Sequence, residues 1–173
     1  MKCSIVVLLA TLLAWPSYAA AADAPAPVPV ARTLILVRHG HHSLDPAADP
    51  AQGPPLTPVG LEQAKLTAKR IQQSGIAIDA VVASPMARSQ QTARLIVDGL
   101  KGARLLTMPD LTECTPPVPP AQMTSLTSPA DLQACAGRFD RVFDAYFRPA
   151  TSKESAQILV AHANVIRYLV SKA

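Results

Sequence analysis

Four short apolar runs, each ended by a polar turn, alternate with longer segments of helical periodicity, and this alternation predicts an α/β domain. The expected architecture is three layers, α/β/α, around a mostly parallel sheet. Strands with one wet face alternate apolar and polar residues. These runs are apolar throughout, as strands covered by helices on both sides must be. Hydrophobic residues make up 49% of the chain against 16% charged, a balance that can bury a core. The length of 173 residues allows one domain of ordinary size.

A fifth apolar run, ahead of these four, belongs to a leader and not to the sheet. Lys2 supplies a positive start, Ile5 to Trp15 is apolar, and Ser17-Tyr18-Ala19 or Ala19-Ala20-Ala21 offers the small residues read at a cleavage site. Residues 1–20 are therefore expected to be a signal peptide, and the location periplasmic or secreted. An uncleaved anchor is the other reading, but the run falls short of the ~20 residues a span needs. No stable membrane insertion is expected once the leader is removed. Residues 21–32 are Ala/Pro-rich, with Pro25, Pro27 and Pro29 in alternation, and read as an extended linker. The domain is placed at residues 33–173.

Thr33 to Val37 (TLILV) is the first buried strand. Thr57 offers an N-cap with Pro58 at the first helical position. Leu61, Ala64, Ala68 and Ile71 follow at helical spacing, and Gly75 marks a stop. Ala80 to Ala83 is a second strand. Ser84-Pro85 opens a second helix carrying Ala93, Ile96 and Val97, with Gly99 near its end. Arg104 to Thr107 is a weaker third strand. From Thr112 to Pro129 five prolines exclude regular structure, and a loop of that length in a compact domain usually serves function. Leu132, Ala136, Phe139, Phe143 and Tyr146 mark a long amphipathic helix, Ile158 to Ala161 a fourth strand, and Asn164 the start of a last helix.

The formal charge of +4 is spread without a run of basic residues, so no nucleic-acid partner is expected. Beyond the leader only Cys114 and Cys135 remain. An even pair in an oxidising compartment invites a disulfide. Two unrelated thiols are the other reading, because sequence cannot show that the Cα atoms come within ~7 Å.

Chemistry is concentrated at strand ends, where an open α/β sheet binds its ligands. Arg38-His39-Gly40 follows the first strand. Arg38 is a planar fork of donors suited to phosphate, His39 a nitrogen nucleophile that titrates near neutrality, and Gly40 would let the backbone approach a ligand. Ser84-Pro85-Met86-Ala87-Arg88 follows the second strand, where a helix N-terminus offers free N–H groups to an anion and Arg88 a second guanidinium. His162 follows the fourth strand. A nucleophile, cations for the equatorial oxygens and a donor for developing charge are what phosphoryl transfer requires. His41 and His42 read as solvated loop residues.

Arg38-His39-Gly40, Ser84-Pro85 with Arg88 and Thr92-Ala93, and His162 resemble the three ordered motifs of the histidine phosphatase superfamily, also called phosphoglycerate-mutase-like. The likeness runs from about Thr33 to the end of the chain. Leu56 to Ala64 resembles the family's segment between the first two motifs. His162-Ala163-Asn164-Val165-Ile166-Arg167-Tyr168 is similar to the branch of the mitochondrial serine/threonine protein phosphatase related to phosphoglycerate mutases. The resemblance implies that His39 is the phosphohistidine nucleophile, that Arg38, Arg88 and His162 line the phosphate pocket, and that Glu113 is the proton donor. No metal or other cofactor is implied, and the partner is a phosphorylated small molecule or a phosphoprotein. The first motif continues His41-His42-Ser43-Leu44-Asp45, unlike the mutase pattern. Family members also continue past the last helix, so the domain is expected to be C-terminally incomplete. A phosphomonoester hydrolase is the leading reading. A phosphoglycerate-type mutase and a non-catalytic phosphate-recognising module are the alternatives.

Overall fold

A computed structural model describes residues 30–118, 125–150 and 153–173. The expected leader and most of the linker lie outside these residues. Its last part does not: Arg32 begins the first strand, and Val30 forms a bridge to Ala150. In chain order the elements are β1 (Arg32–Arg38), α1 (Pro58–Gln73), β2 (Ala80–Ala83), α2 (Ala87–Asp98), β3 (Arg104–Thr107), a 3-10 turn (Pro109–Leu111), α3 (Pro129–Tyr146), β4 (Ser155–Ala161) and α4 (Ala163–Lys172).

The strands form one sheet in the order β1-β4-β2-β3, and every pairing is parallel. Alternate residues feed two cores, because successive side chains of a strand point to opposite faces. Val81, Ala83, Ile158 and Val160 pack with Ala68, Ile71, Ala93 and Ile96 of α1 and α2. Val82, Leu159 and Ala161 pack with Cys135, Phe139, Val142, Val165 and Leu169 of α3 and α4. Three layers result, as the apolar runs predict.

Local chemistry explains the ends. Thr57 Oγ1 accepts from Gly60 N at 3.2 Å and caps α1, with Pro58 beside it. Gly75, at φ 70°, supplies the left-handed turn after that helix. Ser128 caps α3 by accepting from Asp131 N at 3.1 Å. The proline-rich segment thus stops one residue earlier than expected, because Pro129 is the first helical residue, a position that needs no N–H. Residues 119–124 of that segment lie outside the described residues. β4 starts earlier than its apolar run: Ser155, Ala156 and Gln157 pair with Arg32, Thr33 and Leu34.

The register positions the chemistry. Arg38 pairs with Ala161, while Ala83 pairs with both Val160 and Thr107. The strands therefore end nearly level, and His39, His162 and Ser84 each stand one residue beyond an end. The ladder carries past them, with His39 N donating to Ala161 O at 3.0 Å and Ser84 N to Val160 O at 3.1 Å.

Candidate active site

The rings of His39 and His162 lie 4.9 Å apart, centroid to centroid, in an edge-on arrangement. His39 Nδ1 donates to Gly40 O at 2.7 Å, since a carbonyl can only accept. The proton is thereby fixed on Nδ1 and Nε2 keeps its lone pair. That lone pair accepts from Arg88 Nε at 3.2 Å. Burial is the main cause that lowers the His39 pKa to about 4, with Arg88, His42 and Arg38 adding to it against the Gly40 hydrogen bond. At neutral pH the ring is uncharged.

His162 is fully buried. Its Nε2 lies 2.9 Å from Ser84 Oγ and 3.4 Å from Ser89 Oγ. Ser84 Oγ also accepts from Met86 N at 3.3 Å, and its own hydrogen is assigned to Nε2. This assignment leaves the imidazole proton on Nδ1, which has no hydrogen-bond partner among the described residues. The nearest acceptor is Glu113 Oε2 at 3.3 Å, off the line of a hydrogen bond. A buried N–H of this kind is a donor waiting for an anion. Burial first, then Arg88, His39, His42 and Arg38, bring the His162 pKa down to about 3.

Arg88, in the first turn of α2, is nearly buried. Gly53 lies against its guanidinium: a Cβ there would come within 2.7 Å of Nη1. Arg38 is exposed at the mouth of a pocket of about 350 Å³ lined also by His39, Gly40, His41, His42 and Gln63. Glu113 is half-buried. Its Oε1 accepts from Asn164 N at 3.3 Å, at the N-terminus of α4. Burial pushes its carboxyl above the usual range, against the pull of that hydrogen bond and of Arg88, Arg38 and Arg167.

All five residues that sequence reasoning placed in the site thus meet at the carboxyl edge of the sheet. Gly40 corrects its expected role. A Cβ at Gly40 would sit 2.4 Å from Gly60 O, so this glycine permits α1 to press on the loop and not a ligand to press on the backbone. Its N–H donates to Thr92 Oγ1 at 3.2 Å. His41 and His42 line the pocket wall, and His41 Nδ1 lies 2.8 Å from Thr57 Oγ1, the cap of α1. Ser84 and Thr92 entered the sequence reading only as motif members and Asn164 only as the start of a helix, with no role given, and Ser89 was not singled out. Ser84, Ser89 and Thr92 are buried hydroxyls, and the roles they take follow from the rule that such groups must find partners when buried.

The family pattern described as histidine phosphatase superfamily (branch 1) matches residues 34–117, which hold Arg38, His39, Arg88 and Glu113. This chain belongs to the histidine phosphatase superfamily. Within that superfamily it is 37% identical over 150 residues to the serine/threonine-protein phosphatase Pgam5, mitochondrial, of Drosophila grimshawi, a match that covers 83% of this chain and 51% of that protein. It is 33% identical over 147 residues to the protein of the same name from Caenorhabditis elegans, covering 82% of this chain and 50% of that one. The chain spans about half the length of the curated relatives it matches.

Solved structures carry the same fold. A phosphoglycerate mutase from Plasmodium falciparum superposes with a TM-score of 0.57 at 24% identity, over 82% of this chain and 67% of that one. The protein histidine phosphatase SixA complexed with tungstate gives 0.54 at 23% identity, over 80% and 74%.

The relatives correct the expected location. Their names place those relatives in mitochondria, which contradicts the periplasmic or secreted location expected from the leader. One lysine followed by an apolar run is a compositional signal, and it does not name the membrane it addresses.

The buried imidazoles carry a consequence for stability. Both histidines are held below the ordinary value of 6.5, so the unfolded chain takes up protons that the folded chain refuses. Above pH 6.5 neither state is protonated and the contribution is constant. Below it stability falls, toward about pH 4 for His39 and about pH 3 for His162. The melting temperature is expected to drop between pH 6.5 and 5, before ordinary carboxylates titrate, and to drop less in a His162→Gln variant. A slope unchanged by that substitution would contradict the assignment.

Proposed function

We propose that this chain is a phosphomonoester hydrolase that works through a phosphohistidine on His39. The observation that carries the reading is the unprotonated Nε2 of a neutral His39, which accepts from Arg88 Nε–H and lies beside the unpartnered Nδ1 of His162. Nucleophile and cationic donors share one anion-sized space, which suits charge stabilisation in phosphoryl transfer.

In the first step His39 Nε2 attacks phosphorus and the ester P–O bond breaks. Arg88, Arg38 and the His162 Nδ1–H hold the non-bridging oxygens, and the Glu113 carboxyl gives its proton to the departing alkoxide. In the second step water attacks the phosphohistidine. The N–P bond breaks, and the Glu113 carboxylate takes the proton of the water. The raised Glu113 pKa favours the protonated form that the first step needs. No step calls on a metal. The relatives named serine/threonine-protein phosphatases favour a phosphoserine or phosphothreonine side chain as substrate.

Rapid quenching after mixing with a ³²P-labelled phosphoserine peptide tests the reading. The expected result is a protein-bound label, acid-labile and base-stable, followed by inorganic phosphate. Transfer of the label to an added phosphoglycerate without phosphate release would replace hydrolase by mutase. Absence of any label with every phosphodonor tried would leave only phosphate recognition.

A further inference from the structure

Glu113 stands on a segment without regular structure, between the 3-10 turn and the proline-rich stretch. A proton donor misplaced by about 1 Å can lose ~10²-fold in rate, so something must hold it. From α4, Asn164 donates its backbone N–H to Glu113 Oε1 at 3.3 Å and its Nδ2 to Cys114 O at 3.0 Å. From α3 the described non-covalent ties all act on residues before Glu113: Leu111 is buried beside Phe139 and Val142, Arg138 Nη2 reaches Thr112 O at 3.3 Å, and the Arg141 fork grips Asp110. The tie from α3 to the residue after Glu113 is covalent. Cys114, the neighbour of Glu113, is disulfide-bonded to Cys135, and Cys135 is buried beside Leu111 and Phe139. A cavity of about 630 Å³, lined in part by Cys114, Cys135, Arg138 and Arg141, opens onto the bond.

We propose that the Cys114–Cys135 disulfide is a positioning element for Glu113, and that its reduction by a dithiol selectively removes acid catalysis. This rests on the reading of Glu113 as proton donor. A thiolate of the reagent attacks Cys114 Sγ through the cavity, the S–S bond breaks, and Cys135 leaves as a thiolate that takes up a proton. The second thiol of the reagent then displaces the Cys114 thiol and closes the oxidised reagent, so two electrons pass from dithiol to protein. Beyond Thr112 the segment is then tied chiefly to α4, and the carboxyl is no longer held against the leaving oxygen.

The leaving group separates this role from a merely structural one. A phosphoserine peptide expels an alkoxide that needs a proton, whereas para-nitrophenyl phosphate expels a stable anion that does not. Treating the full chain with dithiothreitol is expected to lower kcat for the peptide about 10-fold and to change kcat for para-nitrophenyl phosphate less than about 2-fold, against ~10²-fold or more for complete loss of a general acid. Reoxidation restores the rate, and Cys135→Ala shows the same selective loss without responding to the dithiol. Equal loss on both substrates, or loss on neither, overturns the proposal. Glu113→Gln serves as the reference. If it is selective and reduction is not, only the cross-link fails. If Glu113→Gln is not selective, the proton-donor reading falls and takes this one with it.

Discussion

Replacing His39 with alanine is expected to lower kcat/KM toward a phosphoserine peptide by about 10⁴-fold or more, the scale on which removal of a covalent nucleophile acts. The reason lies in what the remaining groups can do. Arg88 and Arg38 can still neutralise a phosphate and His162 can still donate to it, but none offers an unprotonated lone pair in line with phosphorus: the guanidiniums hold no free pair, and the inward nitrogen of His162 carries its proton. Binding and chemistry should therefore separate. Inorganic phosphate is expected to inhibit the residual activity with an affinity within a few-fold of the unmodified protein, since the cations stay in place. No acid-labile label should form in quench experiments. A variant within 10-fold of the parent rate would show that some other group, or water directly, attacks phosphorus. His162→Ala is expected to cost less, about 10²–10³-fold, as loss of one oriented donor does.

The polar ends of the sheet were legible because the strands are parallel. In such a sheet the residue after each apolar run stands at one edge, so Arg38, His39, Ser84 and His162 could be assigned a common neighbourhood before any distance was known. Arg88 followed from the helix opened after the second strand. The role of Gly40 was not legible, because it depends on the backbone of Gly60 lying against it across a long intervening loop. Asn164 looked like an ordinary start of a helix, and only the packing of α4 beside Cys114 turns its amide into a clamp. The Cys114–Cys135 pairing needed the distance that sequence withholds, a Cα separation of 5.9 Å. Ser155 to Gln157 hid the first half of β4 because hydrogen bonding to β1 does not require apolar side chains.

Arg88→Ala is expected to lower kcat/KM by about 10³-fold, more than Arg38→Ala, because burial decides the worth of a cation. Arg38 is exposed and competes with water for any phosphate it meets. Arg88 is nearly desolvated and already aligned on His39 Nε2. A buried, pre-oriented donor loses little on binding and acts in a medium of low dielectric constant. Lysine should rescue poorly, since a point charge on a flexible stem cannot reproduce the planar fork. The substitution also leaves a signature that simple loss of binding would not. Arg88 helps hold His39 near pKa 4 by opposing its protonation, so removing that charge raises the pKa. The acid limb of the kcat/KM profile then moves to higher pH, because the neutral nucleophile disappears sooner as protons are added. Gly53→Ala should give a milder form of both effects, its Cβ pressing within 2.7 Å of the guanidinium. An Arg88→Ala profile whose acid limb stays in place while the rate falls would mean that Arg88 holds substrate without touching the state of the nucleophile.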